Sequence, residues 1–119
     1  MKIHNFKELQ VWQKAMELVV FVYQLTGNFP REEKLGLISQ IQRCAISIPS
    51  NIAEGCGRVS DKEFKHFISI AMGSSFELET QLILAFKFGY LSEEQLTTFD
   101  QMIKPVQKMS FGLYNSLQK

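Results

Sequence analysis

From Leu37 to Arg58 the chain carries two patterns at one helical period. Leu37, Ile41, Cys44, Ile48, Ile52 and Cys56 recur at spacings of three and four, which stacks side chains on a single face of an α-helix. Beside them runs a polar row at the same period: Gln40, Arg43, Ser47, Asn51, Glu54 and Arg58. Solvated helix faces are usually dominated by flexible Lys and Glu, whereas short amides, hydroxyls and single charges in an ordered row suit contacts with another surface. A chain built around this helix must provide a covering for both faces, which points to helices packed on helices.

Pro49 sits in the middle of that stretch. A proline there removes the hydrogen bond to residue 45 and clashes with its carbonyl, so a kink is expected between Ala45 and Pro49, with Ser47 or Ser50 satisfying the freed group. The alternative is two helices broken at the proline, but the apolar period continues in register through Ile48, Ile52 and Cys56. Pro30 suits the start of this helix, Glu32 and Glu33 favour the positive end of its dipole, and Gly55 with Gly57 ends it.

Three further helices follow from similar punctuation. Asn5 and Glu8 form a capping pair opening a first helix that runs to about Leu25, where Thr26, Gly27 and Asn28 stop it. Within it Leu9, Trp12, Met16, Val19 and Tyr23 form one apolar seam, and Val11, Ala15, Leu18, Val22 and Leu25 a second. Together they cover roughly 200°, about twice what one bundle face requires. The surplus needs a neighbouring helix or another subunit. Ser60 and Glu63 form a capping box opening a third helix, from Asp61 to about Phe88, with Phe64, Phe67, Ile68, Ala71, Leu78, Leu82, Ala85 and Phe86 on its core side and Gly89 closing it. Ser92 and Gln95 open a fourth, whose Leu96, Phe99, Ile103, Val106, Leu113 and Leu117 keep a heptad interrupted by Ser110; Pro105 bends it or ends its first half near Ile103. The expectation is an all-α fold: an antiparallel up-down-up-down four-helix bundle, kinked near Pro49, forming a single domain over residues 1–119.

Composition narrows the functional classes. The formal net charge of +1 is far from the profile of a dedicated nucleic-acid binder, so any such contact must come from local clustering or from repetition around an oligomer. Cys44 and Cys56 lie twelve positions apart on one predicted helix, too far for a disulfide, and read as small buried hydrophobes in a reducing compartment. No signal-like segment opens the chain and no apolar run approaches the roughly 20 residues of a membrane span, so a cytoplasmic location is expected.

Catalytic and metal-binding patterns are weak. Glu63-Phe-Lys-His66 is a single copy of a motif that di-metal bundles need twice, and His4 and His66 have no zinc partners at ligand spacing. Glu54-Gly-Cys-Gly57 reads as a helix stop, and Cys56 has no evident base. Neither metal nor cofactor is expected, nor enzymatic activity. Two clusters remain. In a hairpin turning near residues 59 and 60, Arg43 and Glu77 fall at matching heights, so an ion pair between helices 2 and 3 is available, either solvated or desolvated in a protomer contact completed by Ser47, Asn51 and Ser74. Arg58, Lys62, Lys65 and His66 form a basic group, diluted by Asp61 and Glu63, which is either a solvated helix end or, repeated around a ring, a band for phosphates.

Phe6-Lys-Glu-Leu-Gln-Val-Trp12, Gly27-Asn-Phe-Pro30, Gln40 with Arg43, Ser47, Asn51-Ile-Ala-Glu-Gly55 and Arg58, then Gly73-Ser74, Glu77-Leu-Glu79 and Gly89-Tyr-Leu91 closely resemble the bacterial four-helix-bundle family encoded, among other places, by intervening sequences in 23S ribosomal RNA genes. The resemblance spans nearly the whole chain in order. It implies a homopentameric ring and kinship with the accessory variability protein of diversity-generating retroelements, which binds nucleic acid and a reverse transcriptase. Two functions then compete. One is a non-enzymatic self-assembling protein whose partner is RNA, DNA or a nucleic-acid enzyme such as a reverse transcriptase. The other is a small-molecule binder or enzyme using the polar set Arg43, Ser47, Asn51, Glu54, Ser74 and Glu77.

Overall fold

In a computed structural model, which describes residues 5–117, the chain forms four helices: α1 (Gln10–Thr26), α2 (Leu37–Cys56), α3 (Asp61–Lys87) and α4 (Glu93–Ser116). Each packs on its sequence neighbours, and α1 also packs on α4, which closes an antiparallel four-helix bundle 45 Å long and 25 by 20 Å across. Among the described residues there is no strand. His4 lies outside the described residues.

The core is one layer of side chains from all four helices. Ala15, Leu18 and Val22 of α1 meet Ile41, Ala45, Ile48 and Ile52 of α2, Ile68, Ala71, Leu78, Leu82 and Ala85 of α3, and Ile103 and Val106 of α4, all with no exposed surface. Each buried Leu or Ile contributes about 1.5–3 kcal/mol of hydrophobic transfer energy. The two seams of α1 therefore separate: the one running from Val11 to Leu25 faces the core, and in the other Leu9, Trp12 and Val19 are half-buried at its edge while Met16 and Tyr23 are exposed.

Both helix-opening signals before α2 fall short of where the sequence puts them. The Asn5 side chain does cap, accepting from the Lys7 amide at 2.9 Å, but it closes a single 3-10 turn (Phe6–Glu8). Leu9 is then extended and α1 starts at Gln10, while Phe6 folds back edge-on against Trp12 at 5.2 Å. Pro30 likewise opens only a 3-10 turn (Arg31–Glu33), and α2 starts after Gly36. Glu33 spans the gap: one carboxylate oxygen accepts from the Leu37 amide at 3.4 Å and the other from the Tyr90 hydroxyl at 2.7 Å.

Neither internal proline breaks its helix. α2 is one helix across Pro49, excluding two broken helices, and α4 is one helix across Pro105. Ser47, a candidate to satisfy the carbonyl freed by Pro49, instead turns toward α3. Ser60 caps α3 by accepting from the Glu63 amide at 3.1 Å, and Ser92 and Gln95 form a reciprocal box at α4. After α3, Gly89 takes φ +85°, with Gly89 N–H donating to Phe86 and Tyr90 N–H to Ala85, the paired bonds of a left-handed helix stop.

Candidate interaction surfaces

The polar row of α2 meets α3 along a hydrogen-bonded seam. The Ser47 and Ser74 hydroxyls lie 2.8 Å apart, Asn51 Nδ2 donates to Ser47 Oγ at 2.9 Å and to the Ser47 carbonyl at 2.8 Å, and Cys44 Sγ donates to the Ser74 carbonyl at 3.1 Å. Ser47 thus opposes Ser74, and Cys44 faces Glu77. Arg43 comes one position short of Glu77: both line a shallow groove of about 360 Å³ with Gln40, Cys44, Ser47 and Ser74, but no ion pair joins them among the described residues. Burial, with the nearby Glu77 charge and its hydrogen bond, pushes the Cys44 thiol up to about 12. At neutral pH it is a protonated, buried group, unsuited to nucleophilic attack. Cys44 and Cys56 form no disulfide.

The seam is close because of Gly55, which the sequence places as a helix stop. Gly55 is buried inside α2, and a Cβ there would lie 2.8 Å from Phe67 Cβ and 2.9 Å from Phe64 Cδ1. Its missing side chain lets α3 approach, and Gly57 alone ends the helix. One buried polar group of α3 is unsatisfied among the described residues. Gln81, seven residues beyond Ser74, is only 7% exposed, and its Oε1 has no hydrogen-bond partner among the described residues. A buried orphan of this kind costs about 1–3 kcal/mol.

The far end of the polar row separates from the seam. Glu54, in the last turn of α2, pairs at 2.6 Å with Arg58, just past the end of that helix, and the Arg58 guanidinium rests 4.6 Å over the Phe67 ring. Arg58 is thereby held on the α2 side of α3. Lys62, Lys65 and His66 face α4 instead, where the Lys65 ammonium lies 4.4 Å over the Tyr114 ring. The basic group expected from the sequence is two groups on different sides of α3.

A third surface lies on the outside of α1 and α2. Met16 and Tyr23 are 41% exposed, Ile46 43% and Val20 58%, and they adjoin half-buried Trp12 and Val19. Contiguous exposed apolar surface of this kind marks sites of association more often than scattered single residues do. The sequence supplied its signal in the doubled seam of α1, while the contribution of Ile46 was hidden among the polar residues of α2. Across the bundle, Lys104 and Gln107 of α4 both donate to Glu79, at 2.7 and 2.9 Å. Burial raises the Glu79 carboxyl, and these two donors outweigh it, holding it below the usual range.

Residues 7–112 match the sequence pattern of the 23S rRNA-intervening sequence proteins. Among solved structures, the chain resembles a protein with unknown function from the S23 ribosomal protein family of Bacteroides thetaiotaomicron, at 25% identity and a TM-score of 0.82, covering 88% of this chain and 95% of that one. No relative of curated function matches. Among the described residues, no helix is long and apolar enough to cross a membrane, and no group of three or more His, Cys, Asp and Glu is placed to hold a metal ion.

Proposed function

This chain belongs to the 23S rRNA-intervening sequence protein family, and from that premise we propose that it is a non-enzymatic, self-assembling interaction protein with a nucleic-acid partner. The observation that carries the assembly is the exposed apolar face of Met16, Val20, Tyr23 and Ile46. Water contact at these side chains is unfavourable by about 25 cal/mol per Å² of apolar surface, and a second protomer removes it. A closed ring needs two different faces on each copy. The second is on the opposite side of the bundle, where Phe76, Ile83 and Phe111 of α3 and α4 are 53%, 39% and 55% exposed. Five copies is the number that the family resemblance implies, as is kinship with the retroelement accessory protein.

The polar groove supports the same reading. Arg43, Gln40 and Glu77 stay exposed at its rim, next to the apolar face across the outside of α2, where they would set register between protomers. The nucleic-acid partner rests on the lysines of α3 repeated around the ring, since one chain of net charge +1 offers few phosphate contacts. Light scattering tests the assembly: a mass near five times the 13.7 kDa chain is expected, and Ile46→Glu with Val20→Asp should release folded monomers. A mass near 13.7 kDa for the unmodified protein at micromolar concentration overturns the proposal. Oligonucleotide binding that is absent even at about 50 mM salt would turn the search to a protein partner such as a reverse transcriptase.

A further inference from the structure

Between the start of α3 and the end of α4 lies an open cleft of about 660 Å³, within the ~300–1,000 Å³ range of small-ligand sites. Lys62, Lys65, His66 and Ser69 are at spacings of three, four and seven along α3, so they form one stripe over its first two turns. Tyr114 and Leu117 of α4 make the facing wall, and Asp61 stands at the edge. The Lys65 ammonium is positioned against the Tyr114 ring face, which orders one cation across the gap between the helices. Two ammonium groups stand against one carboxylate in a chain that is otherwise almost neutral, with hydroxyl and imidazole groups alongside and an aromatic wall opposite.

We propose that this cleft binds a phosphate ester, its phosphate among Lys62, His66 and Ser69 and its organic part against Tyr114 and Leu117. Lysine supplies a point charge, and the seryl hydroxyl and imidazole supply directional donors. Arg58 takes no part, being engaged by Glu54 and Phe67 on the other side of α3. The proposal deepens the nucleic-acid reading by naming the contact, and the cleft is complete within one protomer, so it stands whether or not the ring forms.

Calorimetric titration with 5′-AMP, with inorganic phosphate and with a single-stranded oligonucleotide, at low salt, tests it. Saturable AMP binding is expected, weakened at least about tenfold by Lys62→Gln with His66→Gln, both exposed positions that leave the core intact. Lys108→Gln, which removes one exposed charge on α4 outside the cleft, should leave binding unchanged. The proposal is overturned by no AMP binding, by equal binding in the Lys62/His66 variant, or by equal loss in Lys108→Gln. AMP binding without oligonucleotide binding supports the cleft and removes the nucleic-acid partner. Light scattering on the same samples separates either result from loss of assembly.

Discussion

Along the α2–α3 seam two hydroxyls and an amide bond to one another and a thiol donates to a backbone carbonyl, whereas on the outside of α1 and α2 the apolar Met16, Val20, Tyr23 and Ile46 remain in water. The more polar surface is the one the protomer closes, and the more apolar one is left open. Closure follows from approach distance. Gly55 lets the helix backbones come near enough for short side chains to reach across, and short hydroxyls fill that gap without long flexible stems to immobilise. The α1 seam has no fifth helix to meet, so its apolar surface is available to another chain.

The largest effect should come from filling the gap. Gly55→Val places atoms where Phe64 and Phe67 already stand, and overpacking of this kind costs about 1–3 kcal/mol or more. Urea denaturation should show the midpoint falling sharply, while Gly57→Ala, whose added Cβ meets nothing closer than 3.6 Å, should move it little. Ile46→Ser on the open face should change protomer stability by no more than about 0.5 kcal/mol. Similar costs for Gly55→Val and Ile46→Ser would erase the distinction between the two surfaces.

A smaller effect tests the seam's bonding. Ser47→Ala and Ser74→Ala each strand a partly buried partner, at about 1 kcal/mol apiece. The double variant should lose less than the sum, because both ends of one bond disappear together. Strict additivity would mean that the hydroxyls bond mainly to water.

A further small effect lies on the opposite side of the bundle, where a polar contact is only partly sheltered. Glu79→Gln should cost under about 1 kcal/mol at neutral pH, since Lys104 is half exposed. Because the folded protein holds this carboxyl below its ordinary value, the contribution is present above the unfolded pKa and fades as pH falls through the folded one. Wild type and Glu79→Gln should therefore converge in stability at acid pH. A gap that widens on acidification would contradict the hydrogen-bonded assignment.

The linear chain already carries the four helices, their order and most of the core, because apolar period, Ser caps and the helix-stopping Gly89 act over a few residues and need no distant partner. It also determined that Gln40, Arg43, Ser47, Ser74 and Glu77 would gather on one side of α2 and α3. Tertiary structure decided what each one touches. A one-residue offset in helix register sends Glu77 to Cys44 rather than Arg43, and the facing of Phe67 separates Arg58 from Lys62 and Lys65. The same applies to Gly55, whose sequence context signals a helix end but whose role is contact with α3. Local signals fix backbone states, whereas contacts depend on how two helices slide and rotate against each other. A shift of one residue moves a side chain about 1.5 Å along the axis and 100° around it.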